Sequence, residues 1–157
     1  MEVWRKTMSF YDVLVIIHVF SAILGLGPGF VMIYIVTRAT TMTELRHAYI
    51  IRNRIHIFVM IGGTLLLLTG LMMGVLRPYL FQQYWFLISL LLFLIALAVG
   101  PIVLSPKSKP IKVLLEEHDG QEIPEAYEKM AKKLFFYERL TNVIFLIIIF
   151  LMITKPF

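Results

Sequence analysis

The sequence predicts an all-α fold, a four-transmembrane-helix up-down bundle forming one integral membrane domain over residues 1–157. Three observations predict it. Of the 157 residues, 59% are hydrophobic and 16% charged, where soluble domains run near half and about a quarter, and the mean hydropathy is +0.83. The apolar residues lie in four blocks, at about residues 10–37, 55–76, 84–104 and 134–154, each near the ~20 residues that cross ~30 Å of hydrocarbon. The blocks are continuous rather than alternating, which excludes the strands of a barrel.

Ser9-Phe10-Tyr11-Asp12 has the form of a capping box and starts the first helix. Met1, Arg5 and Lys6 followed by an apolar run have the outline of a secretory signal. The run is too long and lacks a small-residue cleavage site, so it reads as a retained span. Arg38-Ala39-Thr40-Thr41 ends it. Residues 43–54 are polar yet helix-compatible, so the second helix is expected to begin before the membrane, and Arg77-Pro78-Tyr79 stops it. Tyr84-Trp85 places an aromatic pair where the third helix meets the interface. Gly100-Pro101 and Ser105-Pro106 are expected to loosen and end that helix. A loop at 105–133 follows, with a short interfacial helix at 111–118, a turn at Asp119-Gly120, and Pro124 in the first turn of the last helix. Glu125/Lys129 and Glu128/Lys132 stand in the favourable i,i+4 order, so the last helix extends beyond the membrane.

The formal net charge of +5 sits in loops beside spans, so the expected partner is the lipid bilayer with its anionic headgroups, and not nucleic acid. Arg38, Arg46, Arg52 and Arg54, with Lys107, Lys109, Lys112, Lys129, Lys132, Lys133 and Arg139, flank one side. Arg5, Lys6, Arg77 and Lys155 flank the other. The positive-inside rule then predicts a bacterial cytoplasmic (inner) membrane protein with both termini outside and the 105–133 loop in the cytoplasm. The chain has no cysteine, which excludes disulfides, iron–sulfur clusters, thiolate metal sites and a cysteine nucleophile. No P-loop, HExxH or serine-triad motif is present, so catalytic residues stay unassigned and enzyme status stays open. Glu116-Glu117-His118-Asp119 is a metal-attracting run in an exposed loop.

His18 is the main functional candidate, because an ionisable group within a span is costly and faces an interior partner. Three readings stand side by side: a neutral histidine hydrogen-bonded to a neighbour, a cofactor or metal ligand, and a proton relay. Ser21, Ala22, Gly25 and Gly29 lie on or near its face, and Gly63, Gly70 and Gly74 lie on the second helix. Small residues serve tight helix contact, or at Gly25 leave room for a flat ligand beside His18. Antiparallel packing puts residues 69–73, 84–89 and 151–152 at the depth of His18. This brings in Ser89 and makes Met72, Met73 or Met152 geometrically able to pair with it. His56 is ~20 Å away along the membrane normal and cannot share one haem. Arg52, Asn53, Arg54 and His56, facing Glu138, Arg139 and Asn142, form a second polar group, read as an interfacial ion-pair cluster.

The runs DVLVIIHVFSAILGLGPGF, LLLLTGLMMG and YWFLISLLLF resemble an uncharacterised bacterial family of four-helix integral membrane proteins. More distantly they resemble the membrane protoporphyrinogen oxidases and the membrane domain of copper-resistance D proteins. The likeness covers helices one to three and is strongest at His18, then at Thr69-Gly70-Leu71 and Trp85. In the porphyrinogen oxidases it implies a haem b ligand at the first-helix histidine, hence His18. Those relatives carry lysines where this chain has Ser89 and Val15, so the likeness implies the fold and haem binding and not the same porphyrin chemistry.

The expectation is therefore a protein holding a b-type haem or related tetrapyrrole, with His18 as metal ligand and Gly25, Met72, Ser89 and Met152 around it. Its role would be redox, haem handling or assistance to a respiratory complex, alone or as a homodimer. The rivals are a cofactor-free transporter component or assembly partner, and a copper-handling protein using His18 and nearby methionines.

Overall fold

A computed structural model describes residues 8–156, and every element in that range is helical. Arg5 and Lys6, which entered the charge balance, lie outside the described residues. Helix α1 spans Phe10–Thr37. The capping box forms as expected: Ser9 Oγ accepts from Asp12 N at 3.3 Å, and Asp12 Oδ2 accepts from Ser9 N at 3.0 Å. Helix α2 spans Met42–Leu76, capped by Thr41, and so begins well before the apolar block. A 3-10 turn at Pro78–Gln82 leads into α3, Tyr84–Val99. Helix α5 spans Glu125–Thr154, with Pro124 as its N-cap.

The third helix departs from expectation. It does not end at Gly100-Pro101 or at Ser105-Pro106. A π-helical turn at Gly100–Leu104 carries the chain into α4, Ser105–Glu117, with Ser105 N donating to Gly100 O. The wider turn takes up the missing donor and the ring of Pro101 without breaking the helix. The expected short helix near 111–118 is the end of α4, and the true loop is only residues 118–124. Arg46 ties that loop down: its Nε donates to Leu115 O at 2.8 Å and its Nη2 to His118 O. A guanidinium thus satisfies carbonyls at the C-terminus of α4, which its helix leaves unpaired.

The four long helices are each apolar and long enough to cross a bilayer. Their outer faces expose Phe20, Ile23, Phe58, Leu68, Leu91 and Phe150, among others. Apolar surface on that scale is stable only under lipid. Three buried layers stack along the bundle. At the loop end, Val36, Met42, Leu45, Ile111 and Leu134 pack together. Midway, Leu26, Leu66, Phe93 and Ile148 contribute one residue from each of α1, α2, α3 and α5. At the end holding the termini, Leu14, Met73, Leu80, Trp85 and Phe86 close the core.

Helix α1 packs most extensively on α2, and the glycines explain how. A Cβ built on Gly25 would lie 2.7 Å from Gly63 N and 2.8 Å from Gly62 C. The two backbones touch, which is how small residues bring membrane helices together. The GxxxG pairs do not each face one partner, as a simple motif reading expects. Gly25 faces α2, whereas the Cβ position of Gly29 meets Asn142 of α5; Gly70 meets His18 and Gly74 meets Phe81. The decisive residue on α2 is Gly62, which lies outside the GxxxG spacing.

Candidate functional site

His18 lies on α1, two turns from the capping box, and is half-buried. Its Nδ1 lies 2.8 Å from Thr69 Oγ1 on α2. Thr69 Oγ1 in turn donates to Leu65 O at 2.7 Å. A hydroxyl has one proton. With that proton committed to Leu65, we assign the imidazole proton to Nδ1, donating to Thr69. The ring is then held in one tautomer by a relay ending on a backbone carbonyl. Gly70 makes the contact fit, since a Cβ there would lie 3.3 Å from His18 Cε1. In this tautomer Nε2 carries the lone pair, and the carbonyl of Leu66 is a second backbone partner for the ring.

His18 lines a cavity of about 450 Å³ between α1, α2, α3 and α5, a size in the range of small-molecule and cofactor sites. The midway layer of Leu26, Leu66, Phe93 and Ile148 forms one boundary. The walls are otherwise aliphatic and aromatic, including Ala22, Ile23, Phe30, Phe86, Leu90 and Ile149. Two further residues named from the sequence line it as well, Ser89 and Met152. The other two do not. Gly25 is buried in the backbone contact with Gly62 and Gly63, and Met72 is 46% exposed on the outer face of α2. Room beside His18 comes from Gly70, while Gly27 lines the cavity nine residues further along α1.

Ser89 is the most informative residue in the wall. Ser21, Thr64, Thr69, Thr141 and Thr154 each return their hydroxyl to the carbonyl four residues back. Ser89 does not; its Oγ is buried, with the residue 1% exposed, and has no hydrogen-bond partner. Burying a hydroxyl unpaired costs ~1–3 kcal/mol. Ser89 Oγ is thus an unpaired, inaccessible hydroxyl in the wall of an almost wholly apolar cavity that His18 also lines.

Toward the loop end lies the second polar group. Arg52 forms an ion pair with Glu138, and the Arg52 guanidinium carbon sits 5.5 Å from the centre of the Tyr49 ring. Arg52 Nη1, Glu138 Oε2 and Tyr49 Oη are buried without partners. Of the other residues expected there, Asn53, Arg54, His56 and Arg139 are exposed. Asn142 is drawn elsewhere: its Nδ2 donates to Gly29 O at 3.1 Å, joining α5 to α1. No three His, Cys, Asp or Glu side chains converge to hold a metal ion among the described residues. The acidic run 116–119 therefore does not assemble a site.

Sequence reasoning placed Thr69 at the depth of His18 without naming it as the partner, and it missed Gly27 and Gly62. The signal for Thr69 was available, because it is the only hydroxyl residue between Leu65 and Leu76 of α2. No curated protein and no solved structure matches the chain, so the likeness to porphyrinogen oxidases and copper-resistance D proteins rests on the quoted residues alone. Residues 12–156 match the model of a family described as predicted integral membrane protein (DUF2269). The four apolar helices and that match over nearly the whole chain agree, and the protein belongs to this family of multi-pass integral membrane proteins.

Proposed function

We propose that the protein binds a b-type haem or related metal tetrapyrrole in the cavity, with His18 Nε2 as axial ligand. The observation that carries this is the relay from His18 Nδ1 through Thr69 to Leu65 O. Ligating histidines characteristically donate their other ring nitrogen in this way, which fixes tautomer and orientation. The ligand count points the same way. A bare ion needs several protein ligands, and only one imidazole is offered here. A tetrapyrrole brings its own four nitrogens and needs one or two from the protein.

The remaining cavity residues fit the apolar part of such a group. Apolar walls suit the ring faces and Met152 is a candidate second ligand, while no cationic side chain lines the cavity to meet the ring's carboxylates. When bound, the group supplies one-electron chemistry or is itself the cargo. We place the protein in a bacterial inner membrane with both termini outside, on the loop charges alone. The copper reading loses support, since Met72 is directed outward and no ligand cluster surrounds His18.

The test is the absorption spectrum of the protein purified in mild detergent, oxidised and dithionite-reduced, with a pyridine haemochrome assay. The expected result is a Soret band with sharp reduced α and β bands and near-stoichiometric haem, lost in His18→Ala. A preparation that stays colourless after haem is supplied during expression overturns the proposal. His18 is then a helix-packing hydrogen bond to Thr69, and the cofactor-free reading stands.

A further inference from the structure

Helix α2 packs mainly on α1, and α3 on α5. Two contacts bracket a stretch of the seam between α2 and the continuous α3–α4 chain. Near the loop, Arg46 Nε donates to Leu115 O at 2.8 Å, beside the buried Leu45 and Ile111. Midway along the bundle, a Cβ built on Gly63 would lie 3.9 Å from Leu97 Cδ2. Asn53, His56 and Met60 lie between these points, on the face of α2 that helical spacing runs from Arg46 to Gly63. The chain opposite, from Leu97 to Leu115, is the π turn and α4. Residues across this stretch are nonetheless open. Asn53, His56, Pro101 and Ser105 are exposed, Met60 is 59% exposed and Ile102 71%, and no residue of the π turn is buried. The seam is closed at both ends and open between them.

The open stretch changes character along its length. Its loop end is cationic. Lys112 leans back toward the start of α4, as helical side chains do, and both Lys112 and Arg52 act electrostatically on His56. The charge of Arg52 is met by Glu138, whereas Lys112 pairs with no carboxylate among the described residues. His56 stands where the apolar block of α2 begins. Beyond it Met60 and Ile102 are apolar and lie within the spans. We propose that this crevice seats one anionic phospholipid from the leaflet on the loop side, its phosphate on Lys112 and His56 and its acyl chains past Met60 and Ile102. A lysine at the membrane surface attracts an anionic headgroup by ~1 kcal/mol, and a soluble anion would leave Met60 and Ile102 uncovered. The seat shares no lining residue with the His18 cavity and does not rest on the tetrapyrrole reading.

Lipid retention by the full chain tests the seat. The protein is purified in mild detergent, stripped of lipid and offered phosphatidylglycerol, phosphatidylcholine or soluble glycerol 3-phosphate. Native mass spectrometry reads bound lipid, and thermal unfolding reads the melting temperature. Wild type is expected to retain a single phosphatidylglycerol, to melt higher with it, and to respond to neither phosphatidylcholine nor glycerol 3-phosphate. His56→Ala/Lys112→Ala is expected to bind phosphatidylglycerol about ten-fold more weakly. Both side chains are exposed, so the core is untouched, and an unchanged lipid-free melting temperature checks this. Lys129→Ala/Lys132→Ala removes two exposed cations of α5 outside the crevice and should bind as wild type does. Met60→Trp narrows the crevice with both polar contacts in place and should also weaken retention. Equal losses in the two double variants would mark a diffuse attraction to the basic loop end and overturn the seat. An equal response of wild type to phosphatidylcholine, or to glycerol 3-phosphate, overturns it as well.

Discussion

An alanine at Gly62 and an alanine at Gly63 are neighbouring changes with opposite expected outcomes. At Gly62 the new Cβ would lie 2.6 Å from Gly25 Cα and 2.8 Å from Leu24 C, and would also crowd Gly25 N. All three are backbone atoms and cannot rotate away. Ordinary contact begins near 3.4 Å and Gly25 N is the nearest atom, so the helices must separate by about 1 Å at the crossing. Overpacking of this kind costs ~1–3 kcal/mol. At Gly63 the Cβ meets only Leu97 Cδ2 at 3.9 Å, which is normal packing. The helix propensity gained from Gly to Ala, up to ~1 kcal/mol, counts for little in either variant, because the spans stay helical when the bundle comes apart. The expected result is Gly63→Ala near wild type and Gly62→Ala less stable by ~1–3 kcal/mol. At ~2–4 °C per kcal/mol for a chain of this size, that is a melting temperature lower by several degrees. Thermal unfolding in mild detergent, read by tryptophan fluorescence, measures it; Trp85 is a suitable reporter, buried against Phe86. Equal melting temperatures for the two variants would refute the backbone-to-backbone contact and the placement of His18 against Thr69 that depends on it.

Thr69→Val removes the acceptor of the His18 Nδ1 proton at nearly constant shape, so haem affinity in a spectrophotometric titration should fall ~10–100-fold, with Thr69→Ser restoring most of it. Removing either partner of the Arg52–Glu138 pair leaves a buried charge unpaired; Glu138→Leu or Arg52→Met alone should cost ~3–5 kcal/mol, and the double variant much less than the sum, measured as detergent melting temperatures. Arg46→Ala frees the carbonyls of Leu115 and His118, so it should cost ~1–3 kcal/mol and speed protease cleavage within residues 118–124.

The number, order and caps of the helices were legible because hydrophobic length and the Ser9 box act locally. Gly100-Pro101 misled, since a π turn is a collective adjustment that no dipeptide encodes, and the helix ran on to Glu117. The site was legible in part. His18 stood out as an ionisable group within a span, and Ser89 and Met152 were placed at its depth, because antiparallel helices of known length bring residues to matching levels. Depth does not give the angle about the helix axis. That is why Met72 was expected beside His18 although it faces outward, whereas Gly25, placed there by helical spacing, is taken up by the contact with α2. Gly62 was missed for a related reason: the helix crossing is set by which face meets which, and the GxxxG spacing of Gly70 and Gly74 drew attention to residues that serve His18 and Phe81 instead.

The cavity is not what is left when four helices fail to fill their middle. Helix α1 is gripped at two nearby points, by α2 at Gly25 and by α5 at Gly29, and between them Leu26 sits in a filled layer. On the loop side of these points Val36, Met42, Leu45, Ile111 and Leu134 pack densely. On the other side the space opens. Ser89 could be satisfied by the carbonyl one turn back, as the other hydroxyls in the spans are. Packing alone gives no reason to leave that hydroxyl unpaired in the wall of a cavity that His18 also lines. On the proposed reading, a ligand that occupies the space and engages His18 supplies the reason.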